Sequence, residues 1–253
     1  MGQLTNQRAL ITGAASGIGA AIARRFYSEG AYVVVADIND IDGRVIANEI
    51  SGEFAHLDVS DSEAWDTLIA SQADFDIVVL NAGVSTMQNI VGETSAYPLA
   101  GIDNKAYERI MRTNLDGVVF GARAVIPSMV ARRSGHILAT ASLAGIVAIS
   151  QDPIYGLTKH GVVGFVKSLG ASLAPYDVCI SALCPAFVDT PLVSSSAQEL
   201  IKSFGIGILP VEIAADLAMR ALNERINGSQ WTVMDGHEIR QYIPADPYAK
   251  LGS

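Results

Sequence analysis

Along the chain, short apolar runs rich in Val and Ile alternate with longer stretches whose apolar residues recur at helical spacing. The runs RALIT (Arg8 to Thr12), YVVVAD (Tyr32 to Asp37), EFAHLD (Glu53 to Asp58), DIVVLN (Asp76 to Asn81), GHILATA (Gly135 to Ala141), VCISAL (Val178 to Leu183) and QWTVMD (Gln230 to Asp235) predict strands. Most are apolar at consecutive positions, as expected of strands covered by helices on both faces. Helical periodicity covers Ile18 to Glu29, Glu63 to Ala73, Lys105 to Ala131 and Ile154 to Ala174. Ser60 and Glu63 have the spacing of a capping box, and Pro127 predicts a kink or an early end in the third helix. The alternation predicts an α/β fold: a doubly wound, seven-stranded parallel sheet with helices on both faces.

Two segments break the repeat. Val84 to Asn104 carries Gly92, Pro98 and Gly101, and Ala186 to Leu209 is apolar but interrupted by SSS. Both are expected to be loops over a site, the second a substrate lid. The tail from His237 to Ser253 has the prolines and irregular pattern of a surface arm. With no repeat, linker or low-complexity tract, residues 1–253 read as a single domain.

Charge narrows the function. Seventeen Lys and Arg against 26 Asp and Glu give a formal net charge of -9, which speaks against nucleic acid or an anionic membrane as partner. No apolar run is long enough for a membrane helix, and MGQLTNQRAL lacks a basic region followed by an apolar core, so a cytoplasmic protein is expected. Cys179 and Cys184 fall in one predicted strand, roughly 16 Å apart, too far for a disulfide. No Cys or His cluster at ligand spacing accompanies them, so they read as core residues and no metal is expected.

The first strand runs into TGAASGIG, where Gly13, Gly17 and Gly19 open the first helix. Glycines let the backbone turn sharply toward a pyrophosphate, whose charge the helix N-terminus stabilises. A glycine cluster alone is also compatible with a tight turn. Asp37, 18 residues beyond Gly19 at the end of the next strand, stands near the offset at which a carboxylate meets the adenosine ribose. It favours NAD over NADP, since an added 2′-phosphate would face a like charge and no Arg or Lys follows until Arg44. An acidic N-cap for the following helix is the plain alternative.

In PIYGLTKHG, Tyr155 and Lys159 lie four residues apart, on one helix face. An ammonium beside the phenol is expected to lower its pKa and tune it as an acid/base. Ser142 follows the fifth strand at the carboxyl end of the sheet, where ligands of such folds bind, though it would also serve as an N-cap. Asn114 places a polar group within a periodic helix, where a satisfied buried amide is the alternative reading.

Together TGAASGIG, Asp37, Asp58, NAG (Asn81 to Gly83), Asn114, Ser142 and YGLTK closely resemble, in order and spacing, the short-chain dehydrogenase/reductase family over nearly the whole chain. The resemblance implies a Rossmann-type fold, a homotetramer and a tetrad of Asn114, Ser142, Tyr155 and Lys159. Tyr155 would exchange a proton with the substrate oxygen as hydride passes to or from nicotinamide C4. Ser142 would hydrogen-bond that oxygen, Lys159 would also hold the nicotinamide ribose, and Asn114 would position a water. The implied cofactor set is Gly13, Ser16, Gly17, Ile18, Gly19, Asp37, Ile38, Asp58, Val59, Asn81, Ala82, Gly83, Tyr155, Lys159, Pro185, Val188 and Thr190. LPVEIA resembles the start of the family's last large helix. Leu80 stands where many members have Asn, and Ala186 replaces the usual Gly after Pro185, which would strain the backbone if a positive φ is needed there.

A substrate pocket is expected among Ser142, Leu143, Ile149, Gln151, Tyr155, Phe187, Leu192 and Phe204. Mostly apolar walls suit an alcohol or ketone with an alkyl, aryl or alicyclic body, unless these loop residues pack on one another. Gln151 would bond a polar substrate group or point to solvent. SLAGIVAISQDPIYGLTKHGVVGF is similar to the hydroxyprostaglandin dehydrogenase branch, which oxidises a secondary alcohol with NAD. The expected function is an NAD-dependent oxidoreductase interconverting a secondary alcohol and its ketone. The alternatives are an NADPH-dependent carbonyl or 3-oxoacyl reductase and a non-catalytic NADH sensor. His56, His136, His160 and His237 lack ligand spacing and read as core or surface residues.

Overall fold

A computed structural model describes residues 2–85, 99 and 102–244. Its strands are β1 (Arg8–Thr12), β2 (Tyr32–Asp37), β3 (Glu53–His56), β4 (Ile77–Leu80), β5 (Gly135–Thr140), β6 (Val178–Pro185), β7 (Ser229–Val233) and β8 (Arg240–Tyr242). They form one sheet in the order β3-β2-β1-β4-β5-β6-β7-β8, parallel throughout except for the antiparallel β7–β8 pair. The helices are α1 (Gly17–Ser28), α2 (Asp40–Glu49), α3 (Ser62–Ser71), α4 (Asn104–Met111), α5 (Gly117–Arg132), α6 (Pro153–Leu173), α7 (Ser195–Ser203) and α8 (Val211–Glu224).

The consecutive apolar runs are explained by two cores, one on each face. Ile11, Val33, Val35 and Val79 point to the side covered by α1 and α8, around Ile22, Phe26 and Leu217. Their neighbours Leu10, Val34, Val78 and Leu80 point to the other side, where Trp65 of α3, Met129 of α5 and Val166 of α6 pack. Strand side chains alternate faces, so a sheet buried on both needs apolar residues at every position.

Three expectations are corrected. The sheet has eight strands among the described residues rather than seven, because Arg240–Tyr242, in the expected surface arm, pairs with Thr232 to Gln230. A three-residue edge strand buries neither face, so it leaves no apolar run in the sequence. The cap of α3 is Asp61, whose carboxylate accepts from Glu63 N at 2.9 Å, while the Ser60 hydroxyl donates to Asp58 Oδ1 at 2.7 Å. Pro127 does not end its helix, since α5 runs through it to Arg132. The irregularity lies upstream, where α4 passes into α5 through a π turn at Arg112–Asp116.

The Ala186–Leu209 segment is pinned at both ends: Leu209 N donates to Phe187 O at 2.8 Å and Asp189 N to Leu209 O at 2.9 Å. Helix α7 lies between, its SSS run supplying the N-cap Ser194 and the first turn. Of the Val84 to Asn104 loop, residues 86–98, 100 and 101 lie outside the described residues, as do residues 245–253 of the C-terminal arm. No helix among the described residues is long and apolar enough to cross a membrane.

Candidate active site

At the carboxyl ends of the strands, where the order reverses between β1 and β4, opens a cleft of about 1000 Å³. The loop after β1 forms its floor. Gly13 adopts φ +63° and Gly17 φ +53°, left-handed angles that side-chain-bearing residues rarely take. Both line the cleft with Ser16 and Ile18. Ser16 makes no side-chain cap on α1, so the first N–H groups of the helix carry no side-chain acceptor. Gly19 lies behind this floor, outside the cleft lining, where a Cβ would collide with the Gly13 carbonyl oxygen.

The end of β2 brings Asp37 and Ile38 to the cleft. Asp37 Oδ2 accepts from Ala15 N at 2.9 Å and Oδ1 from Asn39 N at 2.9 Å, so this carboxylate ties the strand end to the glycine loop. Asp58 and Val59 line the same end, Asp58 Oδ1 accepting from Ser60 N at 2.9 Å. Asn81, Ala82 and Gly83 line the middle. The Asn81 side chain is a strut there: Nδ2 donates to Thr12 O at 3.0 Å, and Oδ1 accepts from Thr140 Oγ1 at 3.1 Å. It thereby joins the ends of β1, β4 and β5.

Ser142, Tyr155 and Lys159 meet across the cleft wall. Ser142 Oγ accepts from Ala144 N at 3.1 Å, capping a short 3-10 turn, and the residue lines the cleft. Helix α6 presents the other two. Its N-cap is the fully buried Asp152, which accepts from Tyr155 N at 3.1 Å and from Ser85 Oγ at 3.0 Å. Asp-Pro before the helix was a legible start signal, but nothing in the sequence linked it to Ser85. Lys159 Nζ donates to Thr140 O at 2.8 Å and lies 5.5 Å from the centre of the Tyr155 ring.

The electrostatics depart from expectation. Tyr155 is pushed up to about 12, first by burial, with the Ser142 hydroxyl pulling the other way. Lys159 is pushed down to about 8 by burial, which Cys184 opposes. The expected lowering of the phenol by the ammonium is overridden because Lys159 is buried and Tyr155 half-buried against the cleft wall, and desolvation disfavours each charged form. Behind them Cys184, pushed up to about 12 by burial, is a neutral thiol.

Asn114 sits in the π turn, fully buried and outside the cleft lining. Its Oδ1 accepts from Val84 N at 2.8 Å, and Nδ2 donates to Val84 O at 2.8 Å and to Thr158 Oγ1 at 3.2 Å. The amide is thus a clamp on Val84, which itself lines the cleft.

The remaining wall contains Pro185, Phe187, Val188, Thr190 and Leu192 from β6 and the following segment, with Leu143 and Ile149 facing them. Ala186 is absent from the positive-φ residues, so its methyl imposes no backbone strain, and Leu80 is buried in the sheet. Gln151 is exposed and Phe204 is 72% exposed, and neither belongs to the lining. Phe204 follows the last turn of α7, whose buried side is held by Ala197 and Ile201 instead. Sequence reasoning missed Val147, Val193, Ile206, Met234, Asp235 and His237, all of which line the cleft. Val147, Val193 and Ile206 lie on irregular segments where periodicity carries no signal, and Met234 and Asp235, expected within the last strand, follow its end at Val233 in the turn that also holds His237.

The family model described as short chain dehydrogenase matches residues 7–200. Over 223 residues the chain is 32% identical to borneol dehydrogenase, mitochondrial, from Lavandula x intermedia, covering 86% of this chain and 83% of that protein. It is 32% identical to trans-4-hydroxycyclohexanecarboxylate dehydrogenase from Sinomonas cyclohexanicum, with 80% and 78% covered. Among solved structures, a 3-ketoacyl-(acyl-carrier-protein) reductase from Brucella melitensis complexed with NADH superposes with a TM-score of 0.81 at 27% identity, covering 92% of this chain and 99% of that one. The chain belongs to the short-chain dehydrogenase family of oxidoreductases.

Proposed function

We propose that the protein interconverts a secondary alcohol and its ketone, with NAD as the hydride partner and Tyr155 as the acid/base. The observation that carries this reading is the meeting of Ser142, Tyr155 and Lys159 in the same cleft as the glycine loop and Asp37. A dinucleotide fits the residues present: glycine backbone at an uncapped helix N-terminus for the pyrophosphate, and a carboxylate one strand away for the ribose. Gly13, Ser16, Gly17, Ile18, Asp37, Ile38, Asp58, Val59, Asn81, Ala82, Gly83, Pro185, Val188 and Thr190 would hold it. When bound, the nicotinamide supplies or accepts the hydride.

The chain's own part follows from the protonation states. With its pKa near 12, Tyr155 holds a proton at neutral pH and is set to give it to a carbonyl oxygen that gains negative character. The Ser142 hydroxyl, which bonds the Tyr155 phenol here, can turn its proton to the same substrate oxygen, since its bond to Ala144 uses only a lone pair. Lys159, fixed by the Thr140 carbonyl, holds positive charge beside the phenol at neutral pH. Asp37 supports NAD over NADP through its charge; Arg44, the first cation after it, stacks on Phe54 at 4.8 Å. The apolar walls support an alkyl, aryl or alicyclic substrate, a reading in keeping with the names of the lavender and Sinomonas relatives.

The test is oxidation of NADH and NADPH across a panel of apolar ketones, with Tyr155→Phe in parallel. We expect turnover with NADH and a loss of roughly 10²–10⁴-fold in kcat in the variant. Full turnover by Tyr155→Phe refutes the proton-transfer role.

A further inference from the structure

The hairpin joining β7 to β8 reaches the cleft. Its turn, Met234 to His237, is closed by His237 N donating to Met234 O at 3.0 Å, with Gly236 at the left-handed φ of +71° that this turn requires. Met234, Asp235 and His237 line the cleft on the β6–β7 side of the sheet, away from Asp37 and Asp58 at the ends of β2 and β3. On that side the wall is made by Phe187, Leu192, Val193 and Ile206. Asp235 and His237 add polar atoms to an apolar surface.

The chemistry of those atoms is fixed by what they touch. His237 Nδ1 lies 2.8 Å from the Asp235 carbonyl oxygen. A carbonyl only accepts, so Nδ1 donates to it, and Nε2 is the ring nitrogen left to accept from a ligand. A carboxylate, as at Asp235, has oxygens that accept. It rests against Gly207, where a Cβ would collide with it, so the loop after α7 closes directly onto this side chain. One turn therefore brings two side-chain hydrogen-bond acceptors to the rim of a cleft with apolar walls.

We propose that this rim selects substrates whose apolar body carries a hydrogen-bond donor, a hydroxyl or an ammonium, at the end remote from the reacting carbon. The proposal rests on the oxidoreductase reading above and deepens it: His237 and Asp235 are specificity residues. A plain ketone of the same shape fills the walls but leaves both acceptors without a partner, and that difference sets the preference.

The experiment compares 4-phenylcyclohexanone, 4-(4-hydroxyphenyl)cyclohexanone and 4-(4-aminomethylphenyl)cyclohexanone as ligands of the full chain in the presence of NADH. Dissociation constants from calorimetry and kcat/KM are measured side by side, for the parent protein and for His237→Phe, Asp235→Asn and the neighbouring surface change Glu238→Gln. The donor-bearing ketones are expected to bind roughly tenfold tighter than the plain one. The hydroxyl preference should collapse toward one in His237→Phe and the ammonium preference in Asp235→Asn, and both should survive Glu238→Gln. Equal affinity for all three ketones, absence of binding by all three, or preferences that persist in both rim variants overturns the proposal. A preference in binding without turnover upholds the rim and counts against the oxidoreductase reading instead.

Discussion

His136 lies in β5 with 3% of its surface exposed and Nε2 3.2 Å from Ser181 Oγ. Burial pushes its pKa from 6.5 down to about 3, and Arg225 acts in the same direction. The unfolded chain takes up a proton near pH 6.5, whereas the folded protein takes none until about pH 3. Stability from this site is therefore fully present above pH 6.5 and is lost as pH falls toward 3, by about 3 to 5 kcal/mol over the window. His136→Gln should flatten that part of the pH–stability curve, as read by urea denaturation at pH 7 and pH 4; an unchanged difference between the two would refute the assignment. At this scale the identities of Ser142, Tyr155 and Lys159 were legible in the sequence, because spacing puts them on defined elements. Their proton affinities were not: these depend on burial and on Thr140 and Cys184, contacts made by strands distant in the chain. Asn114 was legible as a buried amide, but its clamp on Val84 was not.

Elements were read where their periodicity was strong. Strands β1 and β2 have the bounds their apolar runs predict, and α1, α3 and α6 fall within two residues of theirs. Three pieces escaped for separate reasons. Helix α2 starts in the polar run DID behind an Asn39 cap, α7 begins at serines that look like a loop, and β8 is too short to show alternation. The α3 cap is a sharper case. The carboxylate of Asp61 bonds the N–H groups of Glu63 and Ala64, at 2.9 and 3.4 Å, while Ser60 serves Asp58. Asp61→Ala is expected to cost about 1 kcal/mol, within the range of 0.5 to 2 kcal/mol for losing an N-cap. Ser60→Ala should cost less in the same denaturation experiment, and the reverse ranking would restore Ser60 as the cap.

Over the whole molecule, the doubly wound topology was legible because a sheet covered on both faces writes itself as consecutive apolar residues. The position of the cleft followed from the reversal of strand order. What the sequence could not supply was how the chain after β6 returns over that cleft, since loop paths are not periodic. Asp37 shows how global and local roles merge: its charge faces the cleft while its oxygens hold the Ala15 and Asn39 N–H groups. Asp37→Ala should lower the preference for NADH over NADPH by roughly tenfold or more, about 1.4 kcal/mol. It should also lower the melting midpoint, because the glycine loop loses a charged tie. Cofactor titration and thermal unfolding of one variant check both, and an unaltered cofactor ratio would remove the charge argument.

The β7–β8 hairpin has a consequence for how this protein could be re-engineered. The family match ends at residue 200, whereas the turn at Met234–His237 comes later, between buried β7 and the edge strand β8. Apart from Gly236, whose left-handed φ the turn needs, its tip residues are exposed and hold no core side chain in place, so they can be replaced at little cost to the fold. A library confined to that tip would therefore vary what the cleft meets at its mouth while leaving the glycine loop and helix α6 untouched.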